Sequence, residues 1–291
     1  MTAAIPATPK YRHRWKILFV SVLVALASPM LRGCFRSPDT PYWPSAKISW
    51  PLDHTGTRRV RLDIPPGYNL GAAADAMERM VYPNGRPKDP HNIQAGLLLE
   101  TLWPDIGPRT WGNDKEFDVP GGGRLLTILV QSGAFDPKVH SQDRLHIGLN
   151  VELSFTKRVC VPAPPAHATC HEMRALDRKP PRFGLKRIGV DFSQFSDLPK
   201  EEYRHYDDIY YTPELGGGLE TYIKCTADEM PTRFGGHPYV PQCTQYFVFK
   251  PLNAWVSVNY RRVYLNSWRS IESSVEGLLR SFIARSEFEP R

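Results

Sequence analysis

The chain lacks the short motifs that identify the common enzyme classes. Its 291 residues contain no G-x-S-x-G elbow, no H-E-x-x-H pair and no P-loop. The closest approach to a zinc protease motif, at His171–Ala175, has no second histidine. These absences exclude the usual hydrolase, zincin and nucleotide-binding patterns, and leave only a catalytic triad assembled from distant residues. We therefore predict a protein that is not an enzyme and carries no cofactor, with a motif-free hydrolase as an alternative.

The chain also lacks an apolar run long enough to span a membrane as a helix, which takes about 20 residues. Its longest run, Ile17–Ala27, has 11 residues and follows the basic segment Lys10–Lys16. A basic start and a short apolar core are typical of a secretory signal. The sequence therefore predicts that the body of the protein lies outside the cytoplasm.

Three outcomes remain open for this leader. A small-x-small site at Ala25–Ala27 would release a soluble protein that starts near Ser28. The segment Leu31–Cys34 resembles a bacterial lipobox, in which the cysteine is lipidated, although Arg32 departs from the usual small or aliphatic residue. The third outcome is an uncleaved anchor. We predict lipidation at Cys34, which tethers the protein to a membrane through its N-terminus.

The excess of positive charge is small once the leader is set aside. The formal net charge is +7, and five of the cations precede Cys34: Lys10, Arg12, Arg14, Lys16 and Arg32. Seven minus five leaves about +2 on the body, and no basic helix or base-stacking motif follows. The sequence therefore predicts no nucleic-acid partner.

Cysteine is scarce, with five residues in the chain. Four of them form two local pairs, each enclosing a polar, proline-containing loop: Cys160 with Cys170, and Cys225 with Cys243. Two disulfides suit an exported protein and leave Cys34 as the odd residue, which lipidation would explain. A zinc site built from Cys160, Cys170 and their neighbours His167 and His171 is the alternative, but its spacing matches no common framework.

The pattern of apolar residues predicts an α+β fold with mainly antiparallel sheets in two lobes. A proline count of 28 disfavours long helices. The predicted segments are a signal peptide or anchor (1–33), a tether (34–50), an N-terminal α+β lobe (51–173), a basic linker (174–187) and a C-terminal α+β lobe (188–291). Strands are predicted within 57–65, 94–104, 123–133, 146–160, 186–192, 207–211, 218–225, 244–250 and 254–262.

Two helices are predicted from the same pattern. A short one falls within residues 69–82. The other starts near Asn266, where apolar residues recur at steps of three and four, and Asn266 or Ser267 could cap it. The apolar stripe of this C-terminal helix is expected to pack on the preceding hairpin.

A tyrosine-rich acidic stretch is the strongest candidate for a binding surface. Its residues are Tyr203, Tyr206, Asp207, Asp208, Tyr210 and Tyr211. Tyrosines bury large areas at low entropic cost, and acids steer a basic partner, so the stretch predicts a protein interface. Two alternatives remain: a strand or turn with half-buried tyrosines, and neutralisation of the acids by the adjoining basic linker inside the molecule.

A family resemblance is carried by spaced residues of the C-terminal half. They are Asp208, Tyr210, Tyr222, Cys225, Cys243, Phe247, Val256, Val258, Tyr260, Trp268, Ile271, Leu278 and Phe282. With "LLLETLWPD" (97–105), this series resembles the periplasmic immunity proteins that bacteria encode beside type VI secretion effectors, notably the lipase class. The resemblance implies a non-enzymatic, often lipid-anchored protein whose partner is a secreted effector, here a lipase. An envelope lipoprotein with a structural or assembly role is the main alternative.

Overall fold

The computed structural model describes residues 37–53, 57–68, 96–132, 141–155, 158–163, 167–172, 176–190, 192, 207–212, 219–228, 233–234 and 237–288. Three helices lie in this part of the chain: α1 (Asp114–Phe117, a single turn), α2 (Ser141–Phe155) and α3 (Trp268–Phe282). The leader with Cys34, the predicted helix at 69–82, Tyr203 and Tyr206 lie outside the described residues.

The strands are short, as expected for a chain rich in proline. They are β1 (Ala46–Pro51), β2 (Arg59–Ile64), β3 (Gly96–Leu102), β4 (Leu125–Ser132), β5 (Arg158–Ala163), β6 (His167–Glu172), β7 (Leu176–Arg182), β8 (Leu185–Val190), β9 (Asp207–Tyr211), β10 (Thr221–Thr226), β11 (Arg233–Phe234), β12 (His237–Pro238), β13 (Gln242–Phe249), β14 (Ala254–Arg261) and β15 (Ile283–Phe288).

The main element is an eight-stranded sheet with the order β3-β4-β14-β13-β10-β9-β8-β7. Its pairings are all antiparallel, as are those of the three-stranded sheet β1-β2-β15 and of the β5–β6 and β11–β12 pairs. This confirms the predicted α+β class. Strands of both predicted lobes share the large sheet, and the predicted basic linker supplies most of its β7–β8 end. The lobe boundaries themselves stay a prediction.

One face of the large sheet, here the α3 face, carries the main core. Strands β4, β13 and β14 alternate strictly between buried and partly exposed side chains, and the buried ones contact α3 and the three-stranded sheet. The apolar stripe of α3 is buried as predicted, through Trp268, Ile271, Val275, Leu278, Leu279 and Phe282. Ser267 occupies the N-cap position without a side-chain capping hydrogen bond.

Two hydrogen bonds join the three-stranded sheet to the β13–β14 turn. The Trp50 indole N–H donates to the Leu252 carbonyl at 2.9 Å, and the Asn253 amide donates to the Leu52 carbonyl at 3.2 Å. Trp50 is fully buried. The two sheets and α3 therefore share one core.

Part of the predicted tether is bound to the body. The Trp111 backbone N–H donates to Thr40 at 3.1 Å, the Gly112 N–H donates to Pro38 at 2.8 Å, and the Tyr42 N–H donates to Arg109 at 2.9 Å. Residues 38–42 therefore lie along the 109–112 loop, and ordered structure starts well before residue 50.

Helix α2 corrects the strand predicted over residues 146–160. Odd-numbered positions from Leu145 to Leu153 are all apolar, which reads as a strand, but Leu145, Leu149 and Leu153 also recur every four residues. The structure uses the second pattern: Leu145 and Leu149 are buried, while Ile147 is 50% exposed. The helix lies on the other face of the sheet, the α2 face, against Ile209 and Tyr222.

The contact between α2 and the sheet is close because of a glycine. A Cβ added at Gly148 would lie 2.6 Å from the Tyr222 hydroxyl and 2.9 Å from the Trp255 ring. Glycine therefore lets the helix backbone approach the two aromatic side chains.

Alanine substitutions separate the helix from the strand. In a strand, the side chains at positions 147 and 149 would lie on the same face, and alanine at either position would lower the free energy of unfolding by a similar amount. With the helix, Leu149→Ala is expected to lower the free energy of unfolding by about 2–3 kcal/mol, and Ile147→Ala by less than about 0.5 kcal/mol. Urea unfolding of both variants measures the difference, and equal losses would contradict the helix.

Candidate functional site

The acidic stretch proposed as a partner surface occupies an internal strand. β9 pairs with β8 on one side and β10 on the other. Asp208 and Tyr210 point to the α3 face and are fully buried, whereas Asp207 and Tyr211 on the α2 face are half-buried. Asp208 and Tyr210 therefore have their contacts inside the protein.

Asp208 is the centre of a cluster of charged groups, here the Asp208 cluster, formed by Lys179, Arg187, Asp208, Asp228 and Arg262. The Asp208 carboxylate lies 2.8 Å from the Arg187 guanidinium, 3.0 Å from Arg262 and 3.5 Å from Lys179. It also accepts the backbone N–H of Asp228 at 3.0 Å. The side chains of Lys179, Arg187 and Arg262 are each 11% exposed, so the cluster is largely shielded from water.

Asp228 forms the outer part of the cluster. Its side chain is 35% exposed and contacts Arg187 and Arg262, and the more exposed Arg182 lies 3.3 Å away. Burial by itself lowers the pKa of Arg187, but the charge and hydrogen bond of Asp208 outweigh burial and raise it. Arg187 therefore remains charged, and it forms ion pairs with Asp208 and Asp228.

For Asp208, the structure shows the alternative in which the adjoining basic segment neutralises the acid inside the molecule. Lys179 and Arg187 both come from the predicted basic linker, now part of β7 and β8, and both contact its carboxylate. Arg262 and Asp228 were missed, because each is brought to the cluster by strand order and no local pattern marks them.

The α2 face gives Asp207 and Tyr211 internal partners too. Lys224 lies 3.4 Å from Asp207 and 3.0 Å from Glu152 of α2. Burial raises the pKa of Asp207, and the positive charge of Lys224 opposes the rise. The ammonium of Lys186 lies 5.7 Å from the centre of the Tyr211 ring. Binding of a partner by Asp207 and Tyr211 stays a prediction.

The aromatic and basic surface of this end of the sheet lies at the β7–β8 turn. Phe183 is 41% exposed, and the Arg182 guanidinium stacks over its ring at 5.0 Å. The Phe183 carbonyl accepts the indole N–H of Trp268 at 3.0 Å. Arg269 stacks over the Trp268 ring at 4.9 Å, so the turn and the start of α3 form one surface.

A polar chain crosses the core below α3. The Tyr260 hydroxyl donates to Gln245 at 3.1 Å, and the Gln245 amide donates to the Glu272 carboxylate at 2.6 Å. Burial is the main cause that raises the pKa of Glu272 to about 7, while hydrogen bonds from Gln245 and Thr221 lower it. Glu272 therefore changes its charge near neutral pH.

This carboxyl predicts a stability that depends on pH. Because the folded pKa lies above the unfolded value, the folded state binds the extra proton between about pH 4.5 and 7. Stability should fall as the pH rises through that window, by about 3 kcal/mol. Glu272→Gln should flatten the curve, as measured by urea unfolding at pH 5 to 8. Glu276→Gln, one turn along α3, should keep most of the slope, and an unchanged slope in Glu272→Gln would contradict the assignment.

One predicted disulfide is present. Cys225 and Cys243 are opposed in β10 and β13, are buried, and are joined with a Cα–Cα distance of 4.0 Å. Cys160 and Cys170 are likewise opposed in the β5–β6 register, and their disulfide stays a prediction.

Two surveys of the described residues bear on other site types. No group of three or more His, Cys, Asp or Glu side chains in that part of the chain is placed to hold a metal ion. None of the described helices combines the length and apolar character needed to cross a membrane.

The chain is similar to a known protein in structure but not in sequence family. No protein-family model matches the chain, and no curated protein matches it significantly in sequence. A solved structure of an immunity protein of the Stenotrophomonas maltophilia type IV secretion system is 16% identical, with 83% of this chain and 94% of that chain covered, at a TM-score of 0.46. A TM-score of 0.46 does not establish a common fold.

Proposed function

We propose that this chain is an immunity protein of the Gram-negative envelope. It is tethered to a membrane through its N-terminus and binds a type VI secretion effector of the phospholipase class. Binding occludes the effector and protects the producing cell and its siblings from the toxin.

The observation that carries the proposal is the set of spaced residues through which the sequence resembles that family. All of them are buried in the large sheet and α3, each at 8% exposure or less. Most are apolar and would suit any core, but Asp208 and the Cys225–Cys243 pair are not required by a generic core. Asp208 has three cationic partners, and the cysteines form a cross-strand disulfide. The residues that carry the resemblance therefore include specific polar and covalent features of this fold.

The compartment also supports the proposal. A disulfide between two buried strands suits an oxidising environment, which agrees with the predicted secretory leader. An incoming effector of a secretion system acts in that compartment, and its inhibitor must be stable there.

Two experiments test this function. The body of the protein should copurify with the effector encoded beside its gene. The complex should stay intact, with a constant stoichiometry, during gel filtration. Deletion of the gene for this protein should make cells sensitive to siblings that carry the effector. Cells that lack both this gene and the effector gene should grow normally. A growth or envelope defect in cells that lack both genes would instead support the structural role.

A further inference from the structure

We infer that the β7–β8 turn, with the start of α3 beside it, is the surface that contacts the effector. The partner surface that fits it is an apolar pocket for Phe183 surrounded by carboxylates. This inference rests on the proposed function and adds the contact surface.

The first support is the conformation of the turn. Arg182 and Leu185 are paired, so Phe183 and Gly184 form a two-residue hairpin loop. Their φ angles are +55° and +78°, as a type I′ turn requires. Such turns favour Asn, Asp or Gly at the first position, because other side chains are strained at positive φ. A phenylalanine here opposes the local preference and is retained at a cost in stability.

The second support is the exposure of the ring. Phe183 is 41% exposed and stacks with Arg182, so its ring is presented to solvent at the outermost hairpin of the sheet. The bond from Trp268 to the Phe183 carbonyl holds the turn against α3. Phenylalanine and arginine are both enriched in protein interfaces relative to the rest of the surface.

The third support is charge. The Asp208 cluster and the turn beside it together contain five cations and two carboxylates. The cations are Lys179, Arg182, Arg187, Arg262 and Arg269, and the carboxylates are Asp208 and Asp228. The Arg269 guanidinium lies 3.8 Å from where a Cβ on Gly184 would be, which places this charge at the turn. Of these cations, Arg182 and Arg269 are exposed beside the Phe183 ring, and positive charge around an apolar anchor selects an acidic partner surface.

The decisive variant is Phe183→Asn, which creates an Asn-Gly turn. Asparagine suits the positive φ, so the melting temperature should equal or exceed that of the wild type. Loss of the ring should weaken binding of the catalytically inactive neighbouring effector about 30-fold, measured by titration calorimetry. A phenylalanine with only a structural role would lower the melting temperature and leave the affinity unchanged.

Two further variants complete the design. Arg182→Ser combined with Arg269→Ser should slow association about tenfold at low salt, with a smaller effect at high salt. Ile147→Ser, a similarly exposed apolar residue on α2, should bind as the wild type does.

The outcomes separate the inference from the function. If wild type binds the effector and all variants bind within about twofold of it, the surface inference fails and the function stands. If the wild type neither binds nor protects, both fail. If the arginine variant loses binding only to phosphatidylglycerol vesicles, the turn is a membrane contact and the inference is overturned.

Discussion

Replacing Asp208 with alanine is expected to lower the free energy of unfolding by about 3–5 kcal/mol. The carboxylate is fully buried and faces Lys179, Arg187 and Arg262, all nearly buried. Without it, Arg187 and Arg262 would share the carboxylate of Asp228 with Arg182, and Lys179 would lose its contact with Asp208. Removing one partner from a buried ion pair is costly because the remaining charges keep their desolvation penalty and lose their compensation.

Urea unfolding of purified protein measures this loss, with two comparison variants. Asp228→Asn removes the outer carboxylate, which is 35% exposed, and should cost less than Asp208→Ala. Asp63→Asn breaks an ion pair with Arg61 in which both side chains are more than 40% exposed, and should cost less than about 1 kcal/mol. Equal losses in Asp208→Ala and Asp63→Asn would show that the cluster contributes no more than a surface pair.

Loss of the Asp208 cluster should also loosen the proposed contact surface at the β7–β8 turn. Lys179 and Arg187 lie on the two strands that lead into the Phe183 turn, and Arg262 lies in the 3₁₀ turn that precedes α3. Asp208 therefore joins the hairpin to the start of the helix. A variant that stays folded but loosens this end should bind the effector more weakly while keeping its Phe183 ring.

The spacing of apolar residues predicts an element correctly where it fits only one kind of secondary structure. The alternation of Val60, Leu62 and Ile64 predicts β2 with its buried face, and the three- and four-residue steps after Trp268 predict α3. Both elements bury a single clean face, so their own sequence determines which side is covered.

Local periodicity failed where the deciding contact is distant. The odd-numbered apolar residues of α2 fit a strand and a helix equally, and contact with Tyr222, some 70 residues away, favours the helix. Likewise, the basic segment around Lys179 and Arg187 resembles a linker in sequence, and becomes strand because its cations meet Asp208 across the sheet. The internal partners of Asp208 are likewise distant in the chain: Arg187 lies in β8 and Arg262 just before α3.

Reduction of the Cys225–Cys243 disulfide is expected to lower the free energy of unfolding by about 3 kcal/mol, the value for a bridge across 18 residues. The bridge joins opposed residues of β10 and β13 in the middle of the large sheet, next to the strand that carries Asp208. Urea unfolding with and without dithiothreitol measures the effect on one polypeptide, so no buried volume is lost in the comparison.

Two double variants assign the effect to this bridge. Cys225→Ala with Cys243→Ala should unfold at a lower urea concentration and lose this part of the response to reductant. Cys160→Ser with Cys170→Ser should keep the destabilisation that dithiothreitol causes through the Cys225–Cys243 bridge. If part of the total effect of dithiothreitol is missing in this variant, that part belongs to the predicted Cys160–Cys170 bridge. Equal midpoints for oxidised and reduced wild type would show that the bridge adds no stability. With the expected loss, protein made in a reducing cytoplasm would be the weaker form, and protection against the effector would depend on export.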